Sequence, residues 1–107
     1  MWRVPDQRVK ALVEQATVDC YGESEQVSGL FMMIADNLTV PFSTQVLGVE
    51  VIVVAVELTD DERIVAVCER GRHRQRLSVK DLPLPDPAPP GAEWVEAYRA
   101  WASGSWS

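Results

Sequence analysis

The stretch Gln45-Val-Leu-Gly-Val-Glu-Val-Ile-Val-Val-Ala-Val-Glu-Leu58 decides the fold class. It is dense in valine and isoleucine, whose β-branched side chains suit a pleated strand better than a helix. Val51 to Val56 is apolar at every position, so both faces of this strand need cover. The segment is therefore expected to lie centrally, covered on both sides or strongly bent as in a small barrel. Thr59-Asp60-Asp61-Glu62 reads as a turn, and Arg63 to Glu69 returns as a second strand. Gly71 marks another turn or bulge, with a third strand from His73 to Val79. Meanders of this kind occur in SH3-like barrels.

Upstream of the meander the periodicity changes from two to between three and four. Val9, Leu12, Val13, Ala16 and Cys20 form an apolar stripe, with Gln7, Arg8, Lys10 and Glu14 opposite, which predicts a helix from Pro5 to Cys20. Tyr21-Gly22 stops it, because glycine supplies the left-handed conformation a helix end often needs. Ser24 is placed to cap a second helix with Glu25 in its first turn, where a carboxylate suits the helix dipole. Its stripe is Val27, Leu30, Phe31, Ile34 and Leu38, and Thr39-Val-Pro-Phe42 ends it, since proline disfavours helical geometry in the preceding residue. Downstream, Pro83, Pro85, Pro87, Pro89 and Pro90 impose an extended, polyproline-like strap. Trp94, Val95, Tyr98 and Trp101 then share one face of a short helix, and Ser103 to Ser107 forms a frayed tail.

The expected architecture is a single α+β domain over residues 1–107. An αα-hairpin (1–42) packs on a small bent antiparallel β-meander (45–80), followed by a proline-rich strap (81–91) and a C-terminal helix (92–102). The composition suits one such domain: 107 residues, 47% hydrophobic and 24% charged. Lys and Arg total 10 against 16 Asp and Glu, a net charge of −6. That balance disfavours binding to a phosphate backbone, so no nucleic acid is expected as a partner. It favours a cation or a basic surface. The start, Met1-Trp-Arg-Val-Pro-Asp6, lacks the apolar core of a signal peptide, and no apolar run is long enough to cross a bilayer. A bacterial or organellar cytoplasm is the expected compartment, with no membrane association and with Cys20 and Cys68 as free thiols.

Nothing in the chain has the form of a catalytic motif, and the protein is not expected to be an enzyme. The single histidine, His73, lies among arginines, neither cysteine has an evident partner, and there is no phosphate-cradling glycine loop. Arg70, Arg72, Arg74 and Arg76 alternate, so a regular strand would project all four to one face. Such a face is either an anion- or acidic-partner patch or a solvated sheet surface paired with neighbouring carboxylates.

Three acidic groups could hold a cation. Asp19, Glu23 and Glu25 bracket the turn between the first two helices; Asp36-Asn37 lies at the far end of the second; Asp60-Asp61-Glu62 occupies a hairpin turn. Calcium takes about six to eight oxygens from carboxylates, carbonyls and water, and a short acidic turn offers several at once. None has the spacing of an EF-hand loop, and each has an equally simple role as a solvated turn or cap. Eleven residues separate Glu25 from Asp36, roughly 16 Å along a straight helix, so these groups belong to separate sites unless the helix breaks.

Val18-Asp19-Cys20-Tyr21-Gly22-Glu23-Ser24-Glu25-Gln26, then Asp36-Asn37-Leu38-Thr39-Val40-Pro41-Phe42, the valine-rich strand after Leu47-Gly48-Val49 and the Trp94–Trp101 helix occur in that order. Taken together they resemble the cyanobacterial-type calcium-binding protein family, small acidic cytosolic proteins without EF-hands. The similarity covers most of the chain. It implies calcium (Ca2+) buffering or sensing, with Asp19, Glu23 and Glu25 matching the acidic turn and Asp36 with Asn37 matching the Asp-Asn-Leu element. Gly22 and Ser24 stand where a more acidic turn is expected, which implies weaker calcium affinity. The competing expectation is a protein-interaction module. It would hold an acidic or proline-rich protein partner on the Arg70–Arg76 strand or in an aromatic groove near Trp94, Tyr98 and Trp101.

Overall fold

The structure is a computed structural model that describes residues 4–104. Its elements follow as α1 (Asp6–Ala16), α2 (Glu23–Asn37), β1 (Phe42–Val46), β2 (Val49–Leu58), β3 (Ile64–Arg70), β4 (His73–Ser78), a 3-10 turn (Val79–Asp81) and α3 (Glu93–Ser103). The chain is therefore an α+β domain, with two helices, a four-stranded antiparallel sheet and a short last helix.

The stretch expected to be one long strand is a hairpin. Leu47 and Gly48 both take positive φ, +52° and +77°, and Val46 pairs with Val49 directly across them. Positive φ at both loop positions is the geometry of a type I′ turn, whose twist matches that of the flanking strands. The sheet accordingly has four strands rather than three, beginning at Phe42, in the order β1-β2-β3-β4. It is an open meander: β1 and β4 are its edges and do not pair with each other. β2 is central, as its composition requires, and carries a bulge between Val53 and Ala55.

Alternation along the strands separates two faces. On the inner face Val51, Val53, Ile64, Ala66 and Cys68 are buried in the core. They share it with Leu12 and Val13 of α1, Leu30 and Ile34 of α2, and Trp94, Val95 and Tyr98 of α3. Full burial of a leucine or isoleucine stabilises the fold by about 1.5–3 kcal/mol each, so this cluster holds the layers together. α3 packs against both α1 and α2 and against the 3-10 turn.

α1 is shorter than its stripe implied. It ends at Ala16, where the Thr17 hydroxyl turns back to donate to the Val13 carbonyl at 2.7 Å. Cys20 lies beyond the helix in the turn. α2 starts from Gly22 with no side-chain cap, so Ser24 lies inside its first turn instead of preceding it.

The proline strap is docked. Its prolines have no N–H to donate, and it is held through its carbonyls. The Thr44 hydroxyl donates to Pro83 O at 2.6 Å and the Thr39 amide to Pro90 O at 2.8 Å. Arg99 of α3 donates to the carbonyls of Val79 and Leu82. Leu82 is fully buried, and Leu84 and Ala88 pack against the core. α3 runs one residue later than expected and is closed by Gly104 in the left-handed conformation; residues 105–107 of the expected tail lie outside the described residues. No helix among the described residues is long and apolar enough to cross a membrane.

Candidate functional site

The α1–α2 turn carries three of the acidic residues that the sequence singles out. Asp19 sits in it with φ +62°, a conformation that aspartate tolerates better than most residues. Glu23 and Glu25 follow in the first turn of α2, where the helix dipole favours negative charge. The Tyr21 amide donates to Glu25 Oε2 at 2.8 Å, so this carboxylate reaches back over the turn much as the acid of a capping box does. All three side chains are exposed, and none joins an ion pair with a described residue. Beside them Tyr21 is 90% exposed and Val18 66% exposed. As the side chains stand, no three His, Cys, Asp or Glu residues among the described residues are gathered closely enough to hold a metal ion.

Asp36 and Asn37 are not brought to this turn. α2 runs unbroken from Glu23 to Asn37, which leaves them roughly 16 Å from Glu25 along its axis. The Asn37 amide donates to Met33 O at 2.8 Å and closes the helix. The third acidic group serves its own hairpin: Asp61 accepts from the Thr59 hydroxyl and from Arg63 Nε, and these donors hold its carboxyl below the usual carboxylate range.

The arginines do not share one strand. Arg70 ends β3, Gly71 and Arg72 make the two-residue turn, and only Arg74 and Arg76 lie together on β4. Both of these are occupied, Arg74 by Glu69 and Arg76 by Glu57 at 2.7 Å. The single four-arginine face is therefore replaced by two ion-paired arginines on the outer sheet face and two unpaired ones at the hairpin end. Among the described residues Arg70 and Arg72 join no ion pair.

Nor is there an open aromatic groove at α3. Trp94 and Tyr98 are buried, Tyr98 stacks on Trp101 at 6.2 Å, and the half-buried Trp101 donates its indole N–H to Gln26 Oε1 at 2.9 Å. These rings are core and helix-to-helix contacts. Burial also pushes the Cys68 thiol up, which keeps it protonated and poorly nucleophilic.

The feature that sequence reasoning missed lies where the β1–β2 and β3–β4 turns meet. A shallow cleft of about 450 Å³ runs between them, lined among others by Gly48, Glu50, Ile52, Glu69, Arg70 and Gly71. Leu47, at the apex of its turn, is 98% exposed, and Ile52 is 45% exposed. The Leu-Gly pair in the quoted stretch was the only signal of it, and the surrounding apolar run masked it. Comparison of the chain with protein-family models, with curated proteins and with solved structures finds no match.

Proposed function

We propose that the protein is a non-enzymatic calcium-binding protein of the cytoplasm, a buffer or sensor, whose ion is drawn to the α1–α2 turn by Asp19, Glu23 and Glu25. One observation carries this reading: three carboxylates crowd one short turn with no cation paired to them. Asp19, Glu23 and Glu25 lie within seven residues of one another, all three are exposed, and none joins an ion pair among the described residues, whereas Glu57, Asp61, Glu69 and Glu96 are each held by an arginine. An exposed, uncompensated trio on a short turn attracts a hard divalent cation that takes oxygen ligands and tolerates irregular geometry. The resemblance to the cyanobacterial-type family points the same way.

The three side chains have to rotate inward to share an ion, with backbone carbonyls and water completing the shell. Each stands on the surface, so rotation breaks no core contact. The cost of that ordering and the small number of carboxylates place the affinity at the weak end of protein calcium sites. Asp36 and Asn37 form a second, separate locus and share no ion with the turn.

Calorimetric titration of metal-stripped protein with calcium, repeated in excess magnesium, tests the reading. Saturable heat that persists in magnesium and is lost in Asp19→Asn/Glu23→Gln supports it; no heat at millimolar calcium overturns it.

A further inference from the structure

Leu47 is costly to the isolated domain in two ways. It holds a positive φ that side-chain-bearing residues disfavour, in a turn where Asn or Gly is preferred, and its side chain is 98% exposed. Within the monomer neither cost is repaid. Beside it, at the same end of the sheet, are the exposed Ile52 and two arginines, Arg70 and Arg72, that join no ion pair among the described residues. Glu50 and the Arg74-paired Glu69 line this end too, so its rim carries both signs, but Arg70 and Arg72 leave it net positive on a chain of net charge −6.

The complementary surface is on the same chain. The α1–α2 turn projects Tyr21 and Val18, 90% and 66% exposed, and surrounds them with Asp19, Glu23 and Glu25. It is an apolar knob ringed by negative charge. We propose that these two surfaces are the halves of a head-to-tail contact between copies of this chain. Leu47 and Ile52 pack against Tyr21 and Val18, Arg70 and Arg72 face the turn carboxylates, and an arginine over the Tyr21 ring adds a cation–π contact. Such a contact is heterologous, so each copy keeps one free half and association proceeds to a ring or an open chain. It is small by the standard of stable interfaces, and the net charge of each copy opposes it, so it forms at high protein concentration. At physiological ionic strength charges beyond about 8 Å are screened, which weakens the overall repulsion more than the close pairs. The contact does not depend on calcium.

Sedimentation velocity in chelator at physiological ionic strength, from micromolar to millimolar protein, tests the proposal. The wild-type sedimentation coefficient is expected to rise with concentration. Leu47→Asn is expected to weaken association at least tenfold while raising the melting temperature, because asparagine suits the turn; the rise in melting temperature separates a lost contact from a damaged fold. Two further variants, Arg70→Glu/Arg72→Glu and Tyr21→Ser/Glu23→Lys, should each be monomeric alone yet form a one-to-one dimer when mixed, since each retains the half that the other lacks. A wild type that stays monomeric to millimolar concentration overturns the proposal, as does association that survives both double variants. If both are monomeric and their mixture stays monomeric, the contact is not head-to-tail and the proposal fails. Because no calcium is present, none of these results depends on whether the turn binds it.

Discussion

Arg76 of β4 donates to Glu57 of β2 at 2.7 Å across the intervening strand β3. The register places Glu57 beside Val65 and Arg76 beside Val67, on the sheet face away from the helices. Both valines are nonetheless buried, 8% and 2% exposed. The pair bridges β3 on the face that carries both valines, so the apolar stems of Glu57 and Arg76 are placed beside them with the charges outward.

Arg76→Ala should therefore destabilise the domain more than Glu57→Gln does. The first removes the stem beside Val67 as well as the charge; the second removes the charge and keeps the bulk. Urea unfolding midpoints of the two variants and of the double variant check this, and equal losses would mean that only the ion pair matters.

The same pair makes stability depend on pH. The Arg76 hydrogen bond holds the Glu57 carboxyl below the usual carboxylate range. A carboxylate with a lowered folded-state pKa adds stability above its unfolded value of about 4.3, and that contribution fades as pH falls through the lower folded value. Melting temperatures across the acid range should fall less steeply for Glu57→Gln than for the wild type.

Gly91 approaches the end of α2 so closely that an added Cβ would lie inside the carbonyl of Asn37, and its φ is +88°. Gly91→Ala combines a disfavoured backbone conformation with a clash against backbone that cannot move aside. A loss of about 2 kcal/mol or more in chemical denaturation is expected, with release of the strap from Thr39.

The two thiols should differ in reactivity. Cys68 is 3% exposed on the inner face of β3, while Cys20 is half-buried in the α1–α2 turn. A thiol reagent under native conditions should modify Cys20 first, and Cys68 only at the rate of unfolding. Peptide mapping by mass spectrometry distinguishes the two.

Asp19→Asn/Glu23→Gln should change stability in chelator by no more than about 0.5 kcal/mol, the usual effect of exposed substitutions. It should abolish any rise in melting temperature produced by calcium, since an ion that binds only the folded state stabilises by about 2.7 kcal/mol at a hundred times its dissociation constant.

Local pattern was enough to determine much of this protein. The stripe Val27, Leu30, Phe31, Ile34 and Leu38 predicts a helix because those positions lie on one side of a 3.6-residue turn, and all but the half-buried Phe31 are buried. Val51 and Val53 belong to a central strand because β-branched residues suit a pleated sheet, but the cover expected on both faces is missing at Ile52, which is 45% exposed. The prolines after Leu82 preclude both helix and ladder whatever surrounds them. Tertiary structure decided the rest. Leu47 carries no turn chemistry of its own, and the pairing of Phe42 with Val53 forces the chain to reverse there. The four arginines alternate perfectly in sequence, yet strand register divides them between two strands and a turn. The pair that bridges β3 beside Val65 and Val67 joins Glu57 to Arg76, 19 residues apart in sequence. The acidic residues were legible one by one, but their spacing in space follows from the unbroken length of α2, which parts Asp36 from Glu25. Periodicity records which face of its own element a residue takes; which element then meets that face is set by packing between distant segments, and no local pattern contains it.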